Sequence, residues 1–278
     1  MKSRRQFIKL AGTGMLATGA GSLYGAQTLS DKHVRSQDLF ALGMAGYTFR
    51  EFTVEQTIVM MKRIGVSNIS VKDFHMPLSS PQDQINTVMG KFSNGGITVY
   101  AVGVIYMNSK EAVDQAFDYA GKAGVKLIVG APDYALLPHV EMKVKSSGIR
   151  IAIHNHGPDN PLYPNATDIW NHIKDLDKGI GICIDIGHTT RDGQNPAVDI
   201  ERYASRIFDV HIKDVDKPMK EGTTVEMGRG IINIHEVVAA LRKIKYSGKC
   251  SLEFEKDMKD PLAGIAESIG YWKGVLVC

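Results

Sequence analysis

From residue 39 to the carboxyl terminus, short runs rich in valine and isoleucine alternate eight times with longer stretches whose apolar residues recur at helical spacing. The runs at 39–46, 67–71, 98–105, 126–129, 150–154, 181–186, 207–212 and 250–254 predict strands. The intervening patterns predict helices over 54–64, 81–92, 110–123, 137–146, 166–176, 200–204, 234–244 and 261–275. In the first of these, Ile58, Met61 and Ile64 fall on one face, the one that would be buried. Gly65, Gly96, Gly124, Gly148 and Gly248 stand just before the next strand, where a left-handed residue stops the helix. Strand–helix repeats with short connections make a parallel sheet. Eight of them, in a chain of 278 residues with no linker-like segment, point to a single (β/α)8 TIM barrel. A doubly wound open sheet is the alternative.

The first 26 residues do not belong to that pattern. Ser3-Arg4-Arg5-Gln6-Phe7-Ile8-Lys9 precedes a Gly/Ala-rich apolar run from Leu10 to Ala26, which reads as a twin-arginine export signal. The run is too short and too rich in glycine for a membrane span, so no stable membrane insertion is expected after processing. Cleavage after Ser22 or Ala26 fits the small residues there. The expected organisation is therefore a signal segment at 1–26, a barrel over 27–278, and a periplasmic location. The 33 basic residues include Lys2, Arg4, Arg5 and Lys9 of the signal, which leaves 29 basic against 30 acidic residues in the remainder. No basic stripe remains to bind nucleic acid. Cys183, Cys250 and Cys278 are too few for a disulfide framework, and the first two sit in apolar strand-like runs as packing residues.

In a barrel of this kind the chemistry sits where the strands end at their carboxyl side. Strand two runs into Lys72, Asp73 and His75, strand five into His154-Asn155-His156, and strand six into Asp185-Ile186-Gly187-His188. Strand seven gives His211-Ile212-Lys213-Asp214 and strand eight Glu253-Phe254-Glu255. A lone strand-end histidine is usually a satisfied structural group. Histidine and carboxylate converging from four consecutive strand ends, as His154, Asp185, His211 and Glu253 do, suit one divalent ion of the Mn, Co, Zn or Mg range. Lys72, His75, His156 and Arg229 are candidate substrate-binding residues of the pocket wall and loops. Lys213 either binds a substrate oxygen or pairs with Asp214 or Asp216. Trp170 and Trp272 lie in helical patterns as core residues.

The segments Ile-Ala-Ile-His154-Asn-His156, Ile-Asp185-Ile-Gly-His188, Asp-Val-His211-Ile-Lys213-Asp and Ser-Leu-Glu253-Phe-Glu resemble the strand motifs of xylose-isomerase-like TIM barrels, the sugar phosphate isomerase/epimerase superfamily. Gly228-Arg229-Gly230-Ile231-Ile232 resembles the connection between its last two strands. The resemblance covers about residues 40–275 and implies that Asp185, His211 and Glu253 are metal ligands, that His188 touches substrate, and that the chain forms a homodimer. It departs at His154, where sugar epimerases carry the second glutamate of a two-sided acid/base pair.

The implied activity is metal-dependent isomerisation or epimerisation of a small carbohydrate, with proton transfer beside a carbonyl. Its catalytic residues would be Glu253, His154, His188 and Lys213. A keto-sugar lyase or dehydratase shares the first proton abstraction and then expels a β-substituent, an outcome that one base suffices for. A non-catalytic carbohydrate-binding barrel is the third reading. An endonuclease IV-type enzyme is disfavoured, because Val104-Ile105-Tyr106-Met107 brings no histidine to the third strand end.

Overall fold

The computed structural model describes residues 38–278, so the export segment expected at 1–26 lies outside the described residues. The strands are β1 (Ala41–Ala45), β2 (Asn68–Val71), β3 (Thr98–Met107), β4 (Leu127–Pro132), β5 (Arg150–His154), β6 (Ile180–Asp185), β7 (Ile207–Ile212), β8 (Asp214–Val215), β9 (Thr224–Val225) and β10 (Lys249–Leu252). Eight of them close in the order β1-β10-β7-β6-β5-β4-β3-β2, while β8 and β9 pair separately as a two-stranded ribbon. All eight ladders are parallel, and Met44 of β1 faces Leu252 on one side and Ile69 on the other, which closes the ring. The expected TIM barrel is what forms.

The helices are α1 (Val54–Ile64), α2 (Gln82–Asn94), α3 (Lys110–Lys122), α4 (Leu137–Ser147), α5 (Ala166–Ile173), α6 (Ile186–Arg191), α7 (Pro196–Arg202), α8 (Ile234–Lys243) and α9 (Leu262–Val277). Thr53 and Gln56 form a reciprocal capping box at the start of α1, and Gly65 ends it in the left-handed region. Strand runs read as continuous apolar segments because both faces are covered, one by helices and one by the barrel interior. In β6 all of Ile180–Asp185 is buried. Trp272 is fully buried, whereas Trp170 is only half-buried against the core.

Three local expectations change. The helix expected over 200–204 spans Pro196–Arg202 instead, because Asn195 caps it with its side chain and Pro196 takes the first turn. A further helix, α6, starts directly on β6: Asp185 ends the strand and caps the helix through its side chain. After α8 the left-handed residue is Lys245, with φ 55°, not Gly248. Gly248 is required for space instead, since a Cβ there would meet the Tyr246 ring.

Side chains alternate along each strand, so every second residue enters the barrel. That rule puts Ala152, His154 and His156 in one inward row, Cys183 and Asp185 in the next, then Asp209, His211 and Lys213, and finally Ser251, Glu253 and Glu255. The lower layer mixes apolar and polar groups: Ala152 and Cys183 pack with Ala101, Leu127 and Val129, while the Tyr100 hydroxyl donates to Asp209 Oδ2 at 2.9 Å and lies 2.6 Å from Ser251 Oγ. The next layer up carries the histidines and carboxylates.

Candidate active site

Local structure aims each group before any ligand is considered. Asp185 Oδ1 accepts the backbone N–H of His188 at 2.8 Å, so capping α6 consumes one carboxylate oxygen and leaves Oδ2 facing inward. Asn155 ties β5 to β6: its Oδ1 accepts from the Asp185 amide at 2.8 Å, and its Nδ2 donates to the Asp185 carbonyl and to Thr189 Oγ1. Asp214 organises the loop after β7, accepting from the amides of Val215, Gly228, Gly230 and Ile232 at 2.9–3.1 Å. It is therefore no partner for Lys213.

Four inward atoms converge. His154 Nε2 lies 3.1 Å from His211 Nδ1 and 3.6 Å from Asp185 Oδ2, and His211 Nδ1 lies 3.5 Å from Glu253 Oε2. Ligand atoms of His154, Asp185, His211 and Glu253 all fall within 4.8 Å of one another, the spread expected of donors around a single ion. Asp185 Oδ2 is buried and accepts no hydrogen bond among the described residues, although Lys213 Nζ lies 3.0 Å away. The donor set therefore fits a divalent ion. A second group of ligand atoms, from His188, Glu253 and Glu255, overlaps it at Glu253.

Lys213 is 2% exposed, and its ammonium contacts Glu253 Oε2 at 2.8 Å as well as Glu255 Oε1. Burial works against its charge, but Asp185, Glu253 and Glu255 outweigh burial and hold its pKa well above the lysine range. The same balance runs in reverse for the acids. Burial alone would raise them, yet Lys213 holds both Asp185 and Glu253 below the usual carboxylate range. Burial likewise opposes protonation of His211, but Cys183 and Glu253 raise it.

Above this layer opens a cavity of about 190 Å³, lined by Tyr47, Lys72, Val104, Tyr106, His154, His156, His188, Glu253 and Glu255. His156 and His188 are neutral donors or acceptors. Burial pushes His156 down to about 3, helped by His154 and His188, and pushes His188 down to about 4 against the pull of Asp185. The Tyr106 hydroxyl sits 2.7 Å from His156 Nε2. Burial raises its pKa, and the charge of Glu253 adds to that. Lys72 Nζ donates to Asp73 at 2.7 Å beside the cavity.

Two expected substrate contacts lie elsewhere. His75 is buried with Nε2 against the carbonyls of Phe49 and Phe52 at 3.1 and 3.2 Å, so it ties down the loop between β1 and α1. Arg229 makes a two-pronged pair with Glu267 on α9, away from the cavity. Lys213 belongs to the site but does not line the cavity; it sits behind Glu253 and Glu255.

Tyr47, Tyr106 and Glu255 line the cavity without having been singled out as site residues from the sequence. Glu255 was legible as a same-face partner of Glu253. Tyr106 was read only as part of a third strand end without histidine; β3 runs to Met107 and carries this tyrosine to the rim.

The profile of the xylose isomerase-like TIM barrel family matches residues 53–275. Among curated relatives, an uncharacterised protein of Methanocaldococcus jannaschii is 36% identical over 90 residues, covering 32% of this chain and 30% of that one. Inosose dehydratase of Lacticaseibacillus casei is 25% identical over 130 residues, covering 41% of this chain and 43% of the enzyme. The match thus spans less than half the length of either relative. Among solved structures, 3-keto-D-glucoside 4-epimerase from E. coli superposes with TM-score 0.69 at 16% identity, over 86% of this chain and 100% of that one. The IolI protein with a bound zinc atom gives TM-score 0.70 at 18% identity, over 85% and 96%. At these identities the superpositions speak for the fold alone. With the closed parallel barrel and a family profile that spans most of its length, the chain belongs to the xylose isomerase-like TIM barrel family.

Proposed function

We propose that this protein is a metal-dependent enzyme acting on a small sugar or keto-sugar, and that it moves a proton at the carbon next to a carbonyl. The observation that carries this reading is the position of the cavity: it opens directly onto the His154/Asp185/His211/Glu253 cluster and is walled by groups that can hold a proton or bind a hydroxyl. Those four residues would hold one divalent ion, which when bound supplies Lewis-acid polarisation of the carbonyl.

The chain's own groups do the rest. Glu253 is held ionised and presents a carboxylate base at the end of β10. Across the barrel, at the ends of β3 and β5, stands the Tyr106–His156 pair. With neutral His156 donating from Nε2 to the phenol oxygen, the tyrosine's own O–H is left to face the cavity as an acid. Two proton-handling groups on opposite walls meet the need of an epimerase even though His154 stands where the family's second glutamate is expected. Lys72, His188 and Glu255 offer hydrogen bonds to sugar hydroxyls around the rim.

A second reading, β-elimination, is favoured by the likeness to inosose dehydratase. It uses the same abstraction by Glu253, with Tyr106 then protonating the leaving hydroxyl. The test is incubation of Mn-loaded protein with a panel of keto-sugars in D2O, followed by NMR. Deuterium entering beside the carbonyl with the skeleton intact is the expected result. Loss of the β-substituent assigns the lyase reading, and neither exchange nor product with any keto-sugar overturns both.

A further inference from the structure

We infer that the Lys213 ammonium is a built-in cation standing where a second metal ion would otherwise go, and that it restricts the centre to one divalent ion. This rests on the reading of His154, Asp185, His211 and Glu253 as ligands of that one ion.

Three groups of possible ligand atoms meet at this site; His154, Cys183 and His211 form one that has no carboxylate, and the other two carry carboxylates. One is the four-residue cluster; the other is His188, Glu253 and Glu255, joined to the first through Glu253. Two donor sets that share a carboxylate offer ligands for more than one cation. The ammonium of Lys213 lies between them, 3.0 Å from Asp185 Oδ2, 2.8 Å from Glu253 Oε2 and in contact with Glu255 Oε1. The ammonium donates to Glu253 Oε2 and Glu255 Oε1 and is ion-paired with Asp185 Oδ2, so its charge is committed to three carboxylates. Lys213 therefore acts through Asp185, Glu253 and Glu255 as a positioning residue.

Charge balance gives the same answer. Three carboxylates are neutralised by one divalent ion together with one ammonium. Removing the ammonium leaves one negative charge uncompensated in a buried site, a cost that favours uptake of a second cation.

A glycine makes room for the lysine stem. The stem passes over the first turn of α6, where a Cβ on Gly187 would collide with Lys213 Cγ and Cδ. The glycine of the Asp185-Ile-Gly187-His188 motif thus leaves the space through which this cation reaches the carboxylates.

The test is manganese stoichiometry, by elemental analysis of purified protein loaded with Mn2+ and desalted, with EPR of the same samples. The wild type and Lys213→Arg are expected to hold one ion and give the isolated six-line spectrum. Lys213→Met and Lys213→Gln are expected to hold two ions and give an exchange-coupled spectrum. Lys213→Met with Glu255→Gln returns to one, because the second donor set has lost a ligand. Circular dichroism confirms folding, and the glutamine variant serves if the methionine variant does not fold. One ion in a folded Lys213→Met or Lys213→Gln protein overturns the inference and leaves the single-metal reading standing, whereas two ions in the wild type overturn both. No metal in the wild type or any variant overturns the metal reading itself, and the inference with it.

Discussion

Glu253 and Tyr106 carry the chemistry proposed here in different ways, and single substitutions separate them. Tyr106 is 56% exposed at the rim and touches none of the cluster residues' ligand atoms. Tyr106→Phe is expected to slow deuterium exchange or turnover by roughly 10²-fold, the usual worth of a positioned acid, with metal content unchanged. Alanine at His154, Asp185 or Glu253 removes a ligand instead. Each is expected to weaken metal retention by more than the roughly 10–100-fold typical of losing an outer-shell partner, measured by elemental analysis after dialysis. Away from the site, Asp199 is a buried carboxylate whose Oδ2 lacks a hydrogen bond among the described residues, with Arg202 3.9 Å distant. Burial raises its pKa from 3.8 to about 6. Between those values the native chain binds more protons than the unfolded one, so stability falls as pH rises through the window. The cost is fully present above about pH 6 and absent below about pH 4. Asp199→Asn is expected to stabilise the protein by roughly 1–3 kcal/mol at pH 7.5 and to match the wild type at pH 3.5, in denaturant melts at both values.

At the level of elements, the decisive positions are strand ends that also begin something else. Asp185 closes β6, caps α6 and presents Oδ2 to the cluster, so a single residue couples strand, helix and site. Asp214 does comparable work after β7 by gathering four backbone amides of the loop that leads to α8. Gly230 is part of the same device, because a Cβ there would strike the Asp214 carboxylate. Asp214→Ala leaves these amides without their acceptor and is expected to cost at least ~2 kcal/mol, read as a lower denaturant midpoint. The helix pattern itself was legible from apolar spacing and caps. What was not legible was α6: its six residues carry too little amphipathic pattern to register, and it exists because Asp185 offers a cap at the place where the chain must leave the barrel.

For the whole molecule, metal and compartment are the questions that reach beyond single elements. An ion that binds the folded chain and not the unfolded one stabilises it, by about 2.7 kcal/mol at a hundredfold excess over Kd. Chelation is therefore expected to lower the melting temperature, and Mn2+ to restore it. The export reading concerns residues 1–26, and we propose that they direct this barrel to the periplasm. A folded reporter fused behind residues 1–37 is expected to reach the periplasm, and to stay inside when Arg4 and Arg5 are both changed to lysine. Among the described residues no helix is long and apolar enough to cross a membrane.

The alternation of β-branched runs with amphipathic stretches determined the barrel, because period and length are local properties that a chain writes residue by residue. The same local rule placed His154, Asp185, His211, Lys213 and Glu253 at strand ends, and the barrel then brought them together. Direction and company were decided only in three dimensions. His75 and His156 look alike in the sequence, yet one turns to the carbonyls of Phe49 and Phe52 while the other faces the cavity beside Tyr106. Arg229, in the loop before α8, chose Glu267, a residue 38 positions away on α9. Lys213 has aspartates next to it and near it in sequence, but its ammonium reaches Asp185, Glu253 and Glu255, because Asp214 is already saturated by backbone amides and Gly187 leaves the stem a channel. Partners of a buried polar group are set by whichever charges the fold leaves unsatisfied nearby, and that is a property of the packed barrel, not of any one strand.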